Sequence, residues 1–220
     1  MNKKLITFSL WGDNPKYTIG AIKNVELAKI IYPDWICRFY IGKSTPLNVI
    51  EILKSFDNTE IVIMEEEGNW SGMFWRFYPS SESNVEVMIS RDCDSRLSFR
   101  EKAAVDEWLK SDKGFHIMRD HPFHGIEILG GMWGIKKDVV KNMKELIDNF
   151  IKGEFWQVDQ NFLKQIIYPI IKENSFVHDE YHNYEQNKNK FPIERVDKEF
   201  VGDVFDHNDI RHPEYWKYLN

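Results

Sequence analysis

Asp92 and Asp94 are the residues best placed to do chemistry in this sequence. They stand at i and i+2 in Ser90-Arg91-Asp92-Cys93-Asp94-Ser95-Arg96, directly after the apolar run VEVMIS. In extended backbone two such positions face the same side, about 7 Å apart, whereas on a helix they diverge. Like charges at that distance repel unless a cation or hydrogen-bond donors lie between them. Carboxylate oxygens are hard donors suited to Mg2+ or Mn2+, which keep several waters and take one or two protein carboxylates plus substrate phosphates. Arg91, Arg96 and Arg100 flank the pair, and a guanidinium fork grips phosphate oxygens in two places. The expectation is a seat for a metal-bound diphosphate. The competing reading is that the aspartates cap the following helix or pair with those arginines, because the triplet alone occurs in many unrelated chains.

Other residues are placed to act beside this pair. Arg76 lies in Gly72-Met73-Phe74-Trp75-Arg76-Phe77, and a cation among aromatics must find a phosphate or carboxylate partner or reach water. Gly12 lets backbone approach a ligand, and Trp11 or Tyr17 offers a ring for stacking. In FHIMRDHPFH, His121 and His124 have an i, i+3 spacing, but Pro122 disfavours a helix and no cysteine or tight carboxylate completes a zinc site. Gly130-Gly131-Met132-Trp133-Gly134 combines bare backbone with an indole, which suits a sugar face at a cleft and equally suits plain turns. Asp159 opens a helical segment, where a carboxylate is also an excellent cap.

The elements that must hold these residues alternate. Leu5–Leu10, Ile36–Ile41, Glu60–Met64 and Val85–Ser90 read as strands, with helices over 16–31, 47–55 and a helical turn over 73–78 between them. A further helix over 98–111, a strand near 115–118 and helical segments at 137–150 and 159–173 follow, and the polar stretch YHNYEQNKNK reads as a mobile loop. Such alternation predicts one α/β domain over 1–220, with a mostly parallel central sheet flanked by helices and a less regular segment from about 175 to 220. Ligands in such sheets sit beyond the carboxyl ends of the strands.

Composition narrows the function. Of 220 residues, 42% are hydrophobic and 29% charged, which fits a folded domain and excludes a disordered chain. A net charge of −6 makes nucleic acid an unlikely partner. No apolar run reaches the roughly 18 residues of a membrane span, and the run before Trp11 is too short for a signal peptide. Two widely separated cysteines, Cys37 and Cys93, fit a reducing, cytoplasmic setting.

The strand followed by Asp92-Cys93-Asp94 resembles the DXD motif of GT-A fold glycosyltransferases, which move sugars from nucleotide-sugar donors with Mn2+ or Mg2+. The ordered blocks RDCDSR, REKAAVDEW, MRDHPFH and GGMWG look like a group of GT-A-like proteins of viruses, algae and bacteria, over roughly Leu5 to Phe205. The resemblance implies a GT-A-like fold in which Asp94 ligates the metal and Asp92 meets it through water or touches the donor ribose. It implies a late histidine ligand, for which His178 is the choice and His182 the reserve. It further implies donor contacts from Ser9, Trp11, Gly12, Tyr17, Arg76, Arg91, Asp92, Arg96 and Arg195, with Phe191-Pro192 and Phe200-Val201-Gly202 closing over the donor. Asp120, His121, Gly131 and Trp133 would shape the acceptor or sugar pocket, and Asp159 would be the carboxylate near the reacting carbon.

The expected function is transfer of a sugar from a UDP- or GDP-linked donor to an acceptor hydroxyl, a glycan first among the candidates. A sugar-phosphate nucleotidyltransferase could use the same acids, although SLWGDNPKY offers only Gly12 where a glycine-rich phosphate loop is needed. A non-catalytic carbohydrate-binding protein could use the aromatic residues without metal.

Overall fold

The computed structural model describes residues 2–150, 153 and 155–219. Residues 1, 151, 152, 154 and 220, which the expected 1–220 span includes, lie outside the described residues. Among the described residues seven strands form one sheet: β1 (Lys3–Leu10), β2 (Ile36–Ile41), β3 (Thr59–Ile63), β4 (Val85–Ser90), β5 (Phe115–Arg119), β6 (Trp133–Lys136) and β7 (Ser175–Asp179), in the order β3-β2-β1-β4-β6-β5-β7. Only β6 runs against the others. The chain steps outward from β1 through β2 to β3, then returns to place β4 on the other side of β1. The strand order therefore reverses between β1 and β4, which opens a crevice at their carboxyl ends.

β1 and β4 read as near-continuous apolar runs because both sheet faces are covered. Ile6, Phe8 and Ile89 face one core with α1 (Pro15–Ile31), α2 (Leu47–Lys54) and α3 (Phe99–Lys110). Leu5 and Met88 face the other, built from a 3-10 helix (Trp70–Ser81), α4 (Met143–Asn149) and α5 (Val158–Phe162). A π turn links α5 to α6 (Tyr168–Ile171), and a short α7 (Pro213–Trp216) lies near the end of the chain. Among the described residues no helix is long and apolar enough to cross a membrane, and Cys37 and Cys93 are buried and free.

Several expectations change. The helical segment expected over 159–173 is broken into α5, the π turn, α6 and a 3-10 turn, and the less regular segment opens with β7. The helix drawn over 137–150 shrinks to α4. The glycine-rich GGMWG run is not a loop at a sugar face throughout, because Trp133 begins β6. Trp133 is fully buried, its ring stacked on Phe115 at 5.2 Å between centroids. Gly134 is required within β6 because a Cβ there would stand 2.9 Å from both Ile89 and Trp108.

Candidate active site

The crevice between β1 and β4 opens into a cleft of about 790 Å³, a volume within the usual range for small-molecule sites. β1 delivers Ser9 and Leu10 to its wall, and the following turn delivers Trp11 and Gly12. Gly12 adopts φ +71° with nothing within 4 Å of a would-be Cβ, so its backbone conformation, not crowding, calls for glycine. β4 ends at Ser90, and the next residues carry Asp92 and Asp94 to the same wall.

Helix α1 fixes this acidic turn. Asn24, midway along the helix and buried, donates to the Ser95 carbonyl at 2.8 Å and accepts from the Leu97 amide at 3.0 Å. Gly20 lets the helix lie directly on the turn, since a Cβ there would stand 2.0 Å from the Cys93 carbonyl oxygen. The Arg91 amide donates to Thr7 at 3.0 Å, which ties the turn to β1 as well.

Each acid of the pair already faces a cation. Arg76, buried on the 3-10 helix, donates to the Asp92 carboxylate, to the Arg91 carbonyl at 3.0 Å and to Asp159 at 2.9 Å. The expected carboxylate partner of Arg76 is therefore two carboxylates. Burial opposes the charge on Arg76, but Asp92 and Asp159 together hold its pKa above the ordinary guanidinium value. Lys16, in the first turn of α1, reaches Asp94 at 2.7 Å. Burial raises the pKa of Asp94 and the charge of Asp92 adds to this, while Lys16 opposes it. Asp159 has no exposed surface, and burial raises its pKa against the pull of Arg76. Gly130 packs over this ion cluster; a Cβ there would stand 2.3 Å from Asp159 and 2.7 Å from Arg76.

Of the residues singled out in the sequence, the structure gathers Ser9, Trp11, Gly12, Tyr17, Arg76, Asp92, Asp94, His121 and Asp159 around the cleft. Gly131 lies directly behind Asp92, where a Cβ would stand 2.0 Å from a carboxylate oxygen. His121 is a satisfied neutral imidazole: Nδ1 accepts from the Phe123 amide at 3.0 Å and Nε2 donates to the Tyr215 carbonyl at 3.1 Å.

Phe200 and Gly202 of the expected closing segment line the cleft as well. Arg91, Arg96, Asp120, Arg195, Trp133, His178 and His182 lie elsewhere. Arg91 points under the sheet and pairs with Glu101 at 2.8 Å. Arg96 binds Asp209 at 2.8 Å. Asp120 is fully buried between Arg100 at 2.8 Å and Arg195 at 2.6 Å, so neither those arginines nor this aspartate is free for phosphate or sugar. Trp133 is core. His178 is buried on β7, bonded to His116 at 2.8 Å and to Glu107 of α3 at 3.1 Å, and is not brought to the acid pair. His182 bonds to the His121 carbonyl at 3.4 Å. The late-histidine ligand thus finds no support in this geometry.

Lys16, Trp70, Phe123, Trp156 and Gln160 were not singled out in the sequence. Lys16 carried one signal, a cation in a helix first turn where the macrodipole disfavours it. The aromatics carried none, since exposure at a cleft mouth is a tertiary property.

No protein-family model and no curated protein matches the chain. Solved structures do match. A glycosyltransferase involved in glycosylation of the major capsid of PBCV-1 superposes with a TM-score of 0.53 at 17% identity, over 80% of this chain and 81% of that one. A mannosyltransferase of Pyrobaculum calidifontis, in complex with GDP-Man and Mn2+, gives 0.54 at 12% identity over 81% and 55%. The fold is GT-A-like. It is also the fold of nucleotidyltransferases: a 4-diphosphocytidyl-2C-methyl-D-erythritol synthase of Anaerococcus prevotii gives 0.53 at 10% identity over 87% and 94%. At these identities the likeness is one of fold.

The GT-A-like sheet offers a limited set of metal donors. No group of three His, Cys, Asp or Glu side chains is arranged to hold an ion among the described residues. The cleft does present Asp92, whose side chain is 45% exposed, and Asp94. Two hard carboxylates suit Mg2+ or Mn2+ completed by water and diphosphate oxygens, and do not suit a resident zinc.

Proposed function

We propose that this protein is a metal-dependent glycosyltransferase that moves a sugar from a UDP- or GDP-linked donor to an acceptor hydroxyl. The observation that carries the reading is the ion cluster at the β1/β4 switch point, where Arg76 bridges Asp92 and Asp159 beside the turn that presents Asp94.

In this reading Asp92 and Asp94 hold the ion, and the turn after β1 meets the nucleotide, with Trp11 or Tyr17 stacking on the base. A bound divalent ion would neutralise charge developing on the leaving diphosphate. Arg76 fixes the orientation of Asp92 and favours the ionised form of Asp159 behind Gly130, against the burial that raises its pKa. A general base must come within hydrogen-bond reach of the acceptor proton. Asp159 has no exposed surface and accepts from both Arg76 and the Gln160 amide, which supports an electrostatic role beside the positive charge of the sugar over proton abstraction. Trp70, Phe123 and Trp156 stand 41%, 57% and 66% exposed around the mouth and offer the faces on which a glycan acceptor would stack.

The test is release of nucleoside diphosphate from UDP- and GDP-linked sugars with and without Mn2+. Metal-dependent release by the wild type, lost in Asp94→Ala, supports the reading. Release of pyrophosphate from a nucleoside triphosphate and a sugar 1-phosphate would instead support nucleotidyl transfer, the second activity found on this fold.

A further inference from the structure

The two acids of the cleft are neutralised in unequal ways. The partner of Asp92 is Arg76, whose side chain is 5% exposed and which also serves Asp159 and a backbone carbonyl, so withdrawing it would strand buried charge. The partner of Asp94 is Lys16, whose side chain is 30% exposed on a flexible stem and which pairs with no other acid among the described residues. The pair is half-buried, with Asp94 17% exposed, and one flexible ammonium on the rim is parted at lower cost than a buried guanidinium that serves two carboxylates. Lys16 also sits at the second residue of α1, after the Asn14 cap and Pro15, where the helix dipole repels a cation and no acidic residue of the first turn offsets it. Its ammonium lies 2.7 Å from Asp94 and 5.3 Å from the ring centroid of Tyr17, two residues of the cleft wall.

We propose that Lys16 is the resting counter-ion of Asp94, yielding that carboxylate to a divalent cation only when a nucleoside diphosphate arrives to receive the lysine charge. The inference rests on the metal-diphosphate reading of the cleft and adds an interdependence to it. Without nucleotide, a divalent ion must displace Lys16 and leave an ammonium stranded beside it. With diphosphate in the cleft the released ammonium has anionic oxygens to meet. Metal and nucleotide should then tighten each other by the same factor, as linkage requires.

The experiment is a Mn2+ titration followed by electron paramagnetic resonance on the full chain, with and without saturating UDP or GDP, for wild type, Lys16→Met and Lys16→Arg. Wild type should bind Mn2+ alone weakly and about tenfold or more tightly with its nucleotide. Lys16→Met should bind Mn2+ alone about fivefold more tightly than wild type and show a correspondingly smaller nucleotide enhancement, the remainder coming from diphosphate oxygens on the ion. Lys16→Arg, which keeps the counter-ion, should behave as wild type. If Lys16→Met binds Mn2+ alone no more tightly than wild type, while nucleotide still promotes Mn2+ binding, the counter-ion role is overturned and the donor reading survives. If wild type binds no Mn2+ even with nucleotide, both are overturned.

Discussion

Arg76 shows how a single side chain can organise a site. Its guanidinium is buried against two carboxylates, and removing it leaves the fully buried Asp159 with only the Gln160 amide as a donor, while the half-exposed Asp92 must turn to water. Arg76→Met should therefore destabilise the fold by about 3 kcal/mol, measured as a fall in urea midpoint, because breaking a buried pair from one side strands the other. Asp159→Asn keeps the shape and one acceptor oxygen, so the fold should hold while kcat falls about 100-fold and nucleotide affinity changes little. A kcat within about twofold of wild type would remove Asp159 from the chemistry. At this scale the sequence displayed the paired acids and the need of Arg76 for a partner, because both follow from local spacing and composition. It could not display which arginines were already engaged. Arg91, Arg96 and Arg195 are paired with Glu101, Asp209 and Asp120, and no local pattern announces a partner 113 residues away, as in the Arg96 pair.

Elements hold the acidic turn in place, and α1 does most of this through Gly20 and Asn24. Gly20→Ala would drive a Cβ into the Cys93 carbonyl, which is backbone and cannot swing aside. It should cost about 1–3 kcal/mol in chemical unfolding and weaken metal-dependent nucleotide binding as the turn shifts. Unchanged stability and binding would show that the helix does not position the turn. The strands were the most legible elements: β2 and β4 match their expected ranges, since β-branched and aromatic runs bounded by turn residues leave little choice. β6 was not legible. It has only four residues, contains Gly134 and follows two glycines, so its sequence reads as a turn while its neighbours β4 and β5 supply the reason to be a strand.

Across the whole molecule, charge buried at long range ties the last segment of the chain to the sheet. Asp120, at the end of β5, accepts from Arg100 of α3, from Arg195 and from the Val201 amide at 2.9 Å. Alternation along the first half of the chain revealed the α/β class and a site at the carboxyl ends of the strands, but not the strand order that makes the switch point. The course of 175–220 follows from such ion pairs and stayed hidden. The same packing makes stability depend on pH. Burial lowers the pKa of His116, and burial with the nearby His121 lowers that of His124 to about 3. His124 Nδ1 accepts from the Asp120 amide at 3.0 Å, a bond that only the neutral ring makes. The unfolded chain takes up these protons near pH 6.5 and the folded chain does not, so the contribution is complete above about 6.5 and is lost as pH falls toward the folded values. His124→Asn, which keeps an acceptor and removes the titration, should lose less stability between pH 7 and pH 4 than wild type in urea unfolding. An equal loss would assign the acid sensitivity elsewhere.

The decisive property of the cleft is its affinity for a metal-bound nucleoside diphosphate. Calorimetric titration of wild type and Asp94→Ala with UDP and with GDP, in the presence and absence of Mn2+, measures it directly. The prediction is heat from one of the two nucleotides that requires Mn2+ and disappears in Asp94→Ala. Binding that is indifferent to both Mn2+ and Asp94, or no binding at all, would contradict it.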